Sequence, residues 1–257
     1  MQDLSSEYQN AACIPDGADY PALWAAKAAA FRAVSAVETH TYGPGEREAY
    51  DLLRPSGAAR GTLVFIHGGY WMETDRSLWS HLATGALSRG WAVALPSYDL
   101  CPAVRIATIT RQASAAVDAV ASMTSGSLRL SGHSAGGHLV ARMACADAAP
   151  AAVARIERIV PISALSNLVP LMRTDMNAAL HIDAAEAAAE SPFLHPRPSI
   201  PIHVWVGGAE RPAFLDQSRW LSRAWDAPLT IERGRHHFDV IEGLEQPDSA
   251  LMQAILG

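Results

Sequence analysis

Basic charge, cysteine and long apolar runs are all scarce in this chain, and each shortage removes a class of function. Lysine and arginine total 20 against 26 aspartate and glutamate, leaving a formal net charge of −6. That balance excludes the basic face a nucleic-acid binder needs to neutralise phosphates, and equally a polybasic membrane-surface protein. An acidic partner is not expected either. The three cysteines, Cys13, Cys101 and Cys145, are far apart and odd in number, so neither a disulfide framework nor a zinc-thiolate site is indicated, and a metal is not expected. No apolar run approaches the roughly 18 residues that cross a bilayer. The opening residues MQDLSSEYQN are too polar for a secretory signal, which predicts a cytoplasmic protein.

What the chain has is apolar material in a regular rhythm. Hydrophobic residues make up 49% of 257 positions, enough for the single well-buried domain, 1–257, that α/β folds of this length form. Short β-rich runs, at 48–53, 62–67, 91–96, 127–131, 158–162, 202–206 and 229–232, alternate with Ala-rich stretches of helical period. Such alternation predicts a mostly parallel sheet flanked by crossover helices. Helices are predicted at 21–37, 75–88, 105–123, 135–146, 212–225 and 248–255. In the third of these, Ile106, Ile109, Ala113, Val117, Val120 and Met123 share the face expected against the sheet. Residues 163–200 are long for a crossover. Together with 1–40 they are candidate elements of a small lid over the C-terminal edge of the sheet.

The sharpest chemical signal is Gly132-His133-Ser134-Ala135-Gly136, set between the strand-like SLRLS and a helical run. A nucleophile elbow requires this strand–turn–helix context: the turn is sharp, and side chains two positions either side of the serine would collide. Ser134 then projects at a helix N-terminus, where free N–H groups favour a developing anion. An ordinary Gly-rich turn is the plain alternative. A second signal, His67-Gly68-Gly69-Tyr70-Trp71, follows the strand TLVFI. Adjacent glycines leave backbone N–H groups of Gly68 and Gly69 free to face an oxyanion, with Ala135 supplying a further donor. His67 reads as a loop brace. Tyr70 and Trp71, beside this loop, are candidate walls of the substrate pocket, as are Leu165 and Phe238.

A serine at neutral pH needs a histidine base and a carboxylate to orient it. In the chain order Ser, acid, His, the base belongs in the loop after the last strand, where His236 and His237 stand in tandem. His237 is favoured because it precedes Phe238 at the start of the next helical stretch; a metal pair is disfavoured, because no HExxH or supporting ligand spacing is present. The acid belongs after IHVWV, where Gly207-Gly208-Ala209-Glu210 offers Glu210; Asp216, six residues further on, is the fallback and reads as a solvated helix residue.

Taken in order, HGGYW, GHSAGG, VGGAERPAFLDQS and RHHFDVIEGL resemble the α/β-hydrolase superfamily, in particular the branch with HGGxW loops that includes kynurenine formamidases and related small esterases. SEYQNAACIPD and SYDLCP are similar to the same branch. The resemblance implies the α/β-hydrolase fold with a small lid and acyl transfer without a cofactor. It places the nucleophile on Ser134, the acid on Glu210, the base on His237, and the oxyanion donors on Gly68, Gly69 and Ala135. Two positions depart from the family's pattern: its acid is often Asp, and the residue before the base is often Asp or Asn, here His236. The implied partner is a small-molecule acyl or formyl substrate, with arylformamidase activity ahead of short-chain carboxylesterase, and a non-catalytic ligand receptor as the reading from another class. A kynurenine-type substrate calls for a cation opposite its carboxylate, for which Arg105, Arg173 and Arg211 are the candidates.

Overall fold

A computed structural model describes residues 3–257. Eight strands form one sheet: β1 (Glu38–Thr41), β2 (Ala49–Leu53), β3 (Gly61–Ile66), β4 (Ala92–Pro96), β5 (Ser127–His133), β6 (Ile156–Ile162), β7 (Val204–Gly207) and β8 (Leu229–Glu232). Their spatial order is β1-β2-β4-β3-β5-β6-β7-β8. β2 pairs antiparallel with β1 and β4, and every other pairing is parallel. The central strands β3 and β4 are buried at every position, as strands covered on both faces must be. β1, with the sequence ETHT, has no apolar residue to announce it and forms a largely exposed edge; it was not foreseen from the sequence.

The helices are α1 (Ser5–Tyr8), α2 (Tyr20–Val34), α3 (Thr84–Ser88), α4 (Ile106–Met123), α5 (Ala135–Arg142), α6 (Asn177–Leu180), α7 (Ala184–Glu190), α8 (Pro212–Trp225) and α9 (Ala250–Leu256). α4 buries Ile106, Ile109, Ala113, Val117 and Val120 at its expected face, but Met123, in its last turn, is 47% exposed. The expected helix at 75–88 is divided: Asp75 caps a 3-10 turn, Arg76–Ala83, by accepting from the Ser77 amide at 2.7 Å, and α3 follows. α2 is tied to the sheet through Arg32, which donates to the buried carboxylate of Asp51 at 2.6 Å, while Arg76 and Thr39 take its other oxygen. Among the described residues, no helix is long and apolar enough to cross a membrane.

The stretch 163–200 packs beside the core. Arg105, just before α4, donates to Glu186 of α7 at 2.7 Å, and Glu190 at the end of α7 accepts from Thr110 and from the buried Arg142. Its contribution to the cavity described below is Met176.

Candidate active site

β5 lies in the middle of the sheet and ends where Ser134 begins the turn into α5. A residue there must reverse direction within one peptide, and Ser134 takes φ 57° and ψ −116°, outside the ordinary L-residue regions. The flanking glycines allow it. A Cβ on Gly132 would strike the Gly136 carbonyl, and one on Gly136 would strike the carbonyls of Ile66 and His67. The collision expected from the sequence is therefore between side chain and backbone, drawing β3, β5 and α5 together at one point.

The loop after β3 reaches the same point. A Cβ on Gly68 would lie 2.9 Å from His133 O and 3.1 Å from Ser134 Cβ, and Gly69 has φ +103°. His67 braces this loop from behind: its Nδ1 donates to Gly68 O at 2.8 Å, its ring stacks on Tyr98 at 4.3 Å, and the Tyr98 hydroxyl donates to His67 O. Burial pulls the His67 pKa down to about 4, so the ring is neutral. The amides of Gly68, Gly69 and Ala135 donate to no backbone carbonyl among the described residues. They form a set of uncommitted donors around Ser134, with Ala135 at the first turn of α5.

Glu210 and His237 come from the loops after β7 and β8. His237 Nδ1 stands 2.6 Å from Glu210 Oε2, with both side chains buried. The other carboxylate oxygen, Oε1, accepts from the Ser163 hydroxyl at 2.5 Å and from the Gly207 amide at 2.8 Å. Ser163, at φ 50° immediately after β6, was not foreseen; its signal is only that it follows a strand next to β7. The His237 ring sits 4.3 Å from Phe214 and 4.6 Å from His133. Desolvation, and secondarily the neighbouring His237, hold the His133 pKa well below the ordinary range. His133 is thus a neutral ring beside that of His237. His236 turns away and is held by its own turn and by Tyr20: its amide donates to Asp239, and its Nε2 is 3.2 Å from the Tyr20 hydroxyl. Asp216 lies on α8, half-exposed and paired with Arg219 at 3.0 Å.

Ser134, His237, Gly68 and Gly69 line one cavity of about 510 Å³. Tyr70 and Phe238 also line it, as expected of pocket residues. Trp71 and Leu165 do not: both are fully buried, and Trp71 turns inward with its ring edge-on to His138 at 5.0 Å. The remaining wall comes from the N-terminal strap, residues 8–18, with Trp24, Leu78 and Trp79. Tyr70 ties that strap down by donating its hydroxyl to Tyr8 O at 2.5 Å, and Gln217 donates to the Tyr8 hydroxyl at 3.1 Å. None of Arg105, Arg173 and Arg211 lines the cavity. Arg105 is committed to Asp183 and Glu186, and Arg211 donates to Ser6 O and lies 3.7 Å from Glu7.

One cluster has metal-ligand residue types, Cys145, Asp147 and His195, with ligand atoms within 4.8 Å of one another. The Arg142 guanidinium donates to both Asp147 and His195, so a cation already occupies that position and the donor set does not suit a metal ion.

Comparison with known proteins agrees with this architecture. Kynurenine formamidase of Salmo salar is 28% identical over 232 residues, covering 84% of this chain and 79% of its own. That of Drosophila melanogaster is 28% identical over 206 residues, covering 72% and 69%. A crystal structure of a Silicibacter protein proposed to be a thioesterase matches with a TM-score of 0.97 and 52% identity, covering 100% of both chains. An esterase of Pyrobaculum calidifontis shares the fold at a TM-score of 0.72 and 18% identity, covering 91% of this chain and 89% of its own. A family model described as alpha/beta hydrolase fold matches residues 63–206, from β3 with its Gly68-Gly69 loop through the turn at Ser134 to β7. A match over more than half of the chain, centred on the strand that delivers Ser134, makes this protein a member of the α/β-hydrolase family.

Proposed function

We propose that the protein is a serine hydrolase that removes a small acyl group by a Ser134–His237–Glu210 mechanism, acting as an arylformamidase of the N-formyl-kynurenine type. The observation that carries the reading is the buried 2.6 Å contact between Glu210 and His237 Nδ1, on a ring lining the same cavity as Ser134. Glu210 keeps the proton on Nδ1, which leaves Nε2 as a base. That nitrogen takes the Ser134 hydroxyl proton as Oγ attacks the substrate carbonyl carbon, and negative charge moves onto the carbonyl oxygen. The amides of Gly68, Gly69 and Ala135 donate to that oxygen. His237 then returns the proton to the departing nitrogen, so that a neutral arylamine leaves. Water, deprotonated by the same ring, releases formate from Ser134. The formamidase relatives support the choice of acyl group, and a formyl group needs almost no acyl pocket.

The second reading is a short-chain esterase or thioesterase, supported by the 52%-identical Silicibacter protein proposed to be a thioesterase. The two separate on a substrate panel: N-formyl-kynurenine, p-nitrophenyl acetate, p-nitrophenyl octanoate and an acetyl thioester. The formamidase reading expects the highest kcat/KM on the formamide and least on the octanoate. Octanoate turnover exceeding that of the formamide overturns it. Failure of a fluorophosphonate probe to label Ser134 in the folded protein overturns both and leaves a ligand receptor.

A further inference from the structure

Ser134 and His237 are carried by distant parts of the sheet, and one side chain links them directly. Ser134 follows β5 at the centre, whereas His237 follows β8, a four-residue edge strand paired with β7. Between them runs the seam of β6 and β7, which is thinly laced: Ile162 pairs with Trp205, and Ile159 bridges to Ile202. A base placed only through the pairings β5–β6, β6–β7 and β7–β8 would inherit the slack of each, yet its nitrogen has to come within hydrogen-bond reach of the Ser134 hydroxyl. Ser163 reaches across the seam to Glu210 and so fixes the carboxylate. The His237 ring itself meets His133, next to Ser134 in the chain, with centroids 4.6 Å apart and planes at 43°. Phe214 of α8 meets the same ring at 4.3 Å.

His133 is suited to serve as a fixed post. Gly68 packs onto it so closely that a side chain there would begin 2.9 Å from His133 O and 3.4 Å from its Nδ1, and the Ser134 amide that follows donates to Ile162 O at 2.8 Å. The residue is buried, and its Nε2 has no hydrogen-bond partner among the described residues. Burial keeps the ring neutral. A neutral ring can lie against His237 while that ring takes up a proton, where a charged one would oppose it. We infer that His133 is a positioning residue for the base: its ring, held on the elbow, sets where the His237 ring stands relative to Ser134. The inference rests on the hydrolase reading for its effect on turnover, but the placement of the ring is measurable without turnover.

The test compares His133→Ala, which removes the ring, with His133→Phe, which keeps a flat and neutral one, both checked for fold by circular dichroism. For His133→Ala, kcat on p-nitrophenyl acetate is expected to fall about 30-fold with KM within about twofold, since misplacing reacting groups by about 1 Å costs up to about 10². Water admitted beside His237 favours its charged form, so the acid limb of the kcat/KM profile should move up by about half a pH unit. His133→Phe should recover most of the loss and keep the acid limb in place. Proton and nitrogen-15 NMR reads the ring directly, with His237 identified by the signal lost in His237→Gln. Its Nδ1 proton, enclosed against Glu210, should be sharp in the wild type and in His133→Phe, and broadened by exchange with water in His133→Ala. Loss of kcat that is equal in the two variants overturns the proposal, as does an His133→Ala protein whose acid limb and Nδ1 proton match the wild type. If the wild type neither turns over an ester or formamide nor labels with a fluorophosphonate, the hydrolase reading fails, and the NMR comparison alone decides whether His133 positions the ring.

Discussion

Replacing Glu210 by Gln changes one atom, and the surroundings of that atom decide how the amide sits. Oε1 of Glu210 accepts from the Gly207 amide at 2.8 Å and from the Ser163 hydroxyl. The Ser163 hydroxyl can rotate, but the Gly207 N–H can only donate. The glutamine carbonyl must therefore occupy the Oε1 position, which turns its NH2 toward His237 Nδ1, where the carboxylate now stands at 2.6 Å. Two donors cannot face each other in a buried site, so Nδ1 has to become the acceptor and the ring proton moves to Nε2. That is the wrong tautomer for a base: Nε2 can no longer take the Ser134 proton. The stabilisation of the imidazolium by a negative charge is lost as well. The corresponding carboxylate-to-amide change in other triads costs about 10⁴ in kcat, or about 5.5 kcal/mol of barrier. We expect a loss of ~10³ to ~10⁴ in kcat on p-nitrophenyl acetate, little change in KM, and a similar slowing of fluorophosphonate labelling, with circular dichroism and urea midpoint showing an intact fold. Glu210→Asp, a methylene shorter, keeps the charge but not the reach and should lose about 10². Retention of more than a hundredth of wild-type kcat by a folded Glu210→Gln enzyme would refute the assignment of His237 as a base oriented by Glu210.

Three further outcomes follow from the same structure. Ser163→Ala removes a donor from a buried carboxylate, a charge-assisted bond of about 1.5–3 kcal/mol; kcat should fall roughly tenfold with little change in KM, and an unchanged kcat would count against a positioning role. Gly136→Ala drives a methyl group into the carbonyls of Ile66 and His67 and should cost about 3 kcal/mol or more, read as a lower urea midpoint; unchanged stability would mean the elbow relaxes. Burial holds His67 at a pKa of about 4 and His138 at about 3. Below the ordinary value near 6.5 the unfolded chain takes up protons that the folded one refuses, so stability falls as pH falls, by about 2 kcal/mol for each ring between pH 7.5 and pH 5. Urea unfolding across that range measures this, and a flat profile would contradict it.

The parts of this molecule that were legible in the sequence are those where one backbone geometry admits one residue type. Gly132 and Gly136 had to be glycine because the Gly136 carbonyl occupies the place of a side chain on the first, and the Ile66 and His67 carbonyls that of one on the second. The adjacency of Glu210 and His237 was legible for a topological reason. In a parallel sheet every strand ends on the same side, so loops after β7 and β8 must converge with the loop after β5. The register of helix α4 followed from its apolar period, up to Met123, where the last turn runs past the sheet.

The cavity wall was much less legible, because which side a residue faces depends on contacts far away in the chain. Tyr70 and Trp71 are neighbours in the same turn, and both adopt positive φ, 49° and 58°. That turn sends one ring to the cavity and the other into the core against His138. Nothing in the letters YW distinguishes them. Trp24 and Trp79 stand on α2 and on the 3-10 turn before α3 and are largely buried. They line the cavity together with the strap at 8–18, which Tyr70 anchors at Tyr8 O. The strap, a piece of the candidate lid element 1–40, supplies the wall next to these rings. A variant that loosens it without touching the elbow, Tyr70→Phe, should raise KM severalfold for aromatic substrates while leaving the fluorophosphonate labelling rate of Ser134 near wild type. Equal loss in both measurements would place Tyr70 in the oxyanion loop's own stability and would remove the strap from the account of specificity.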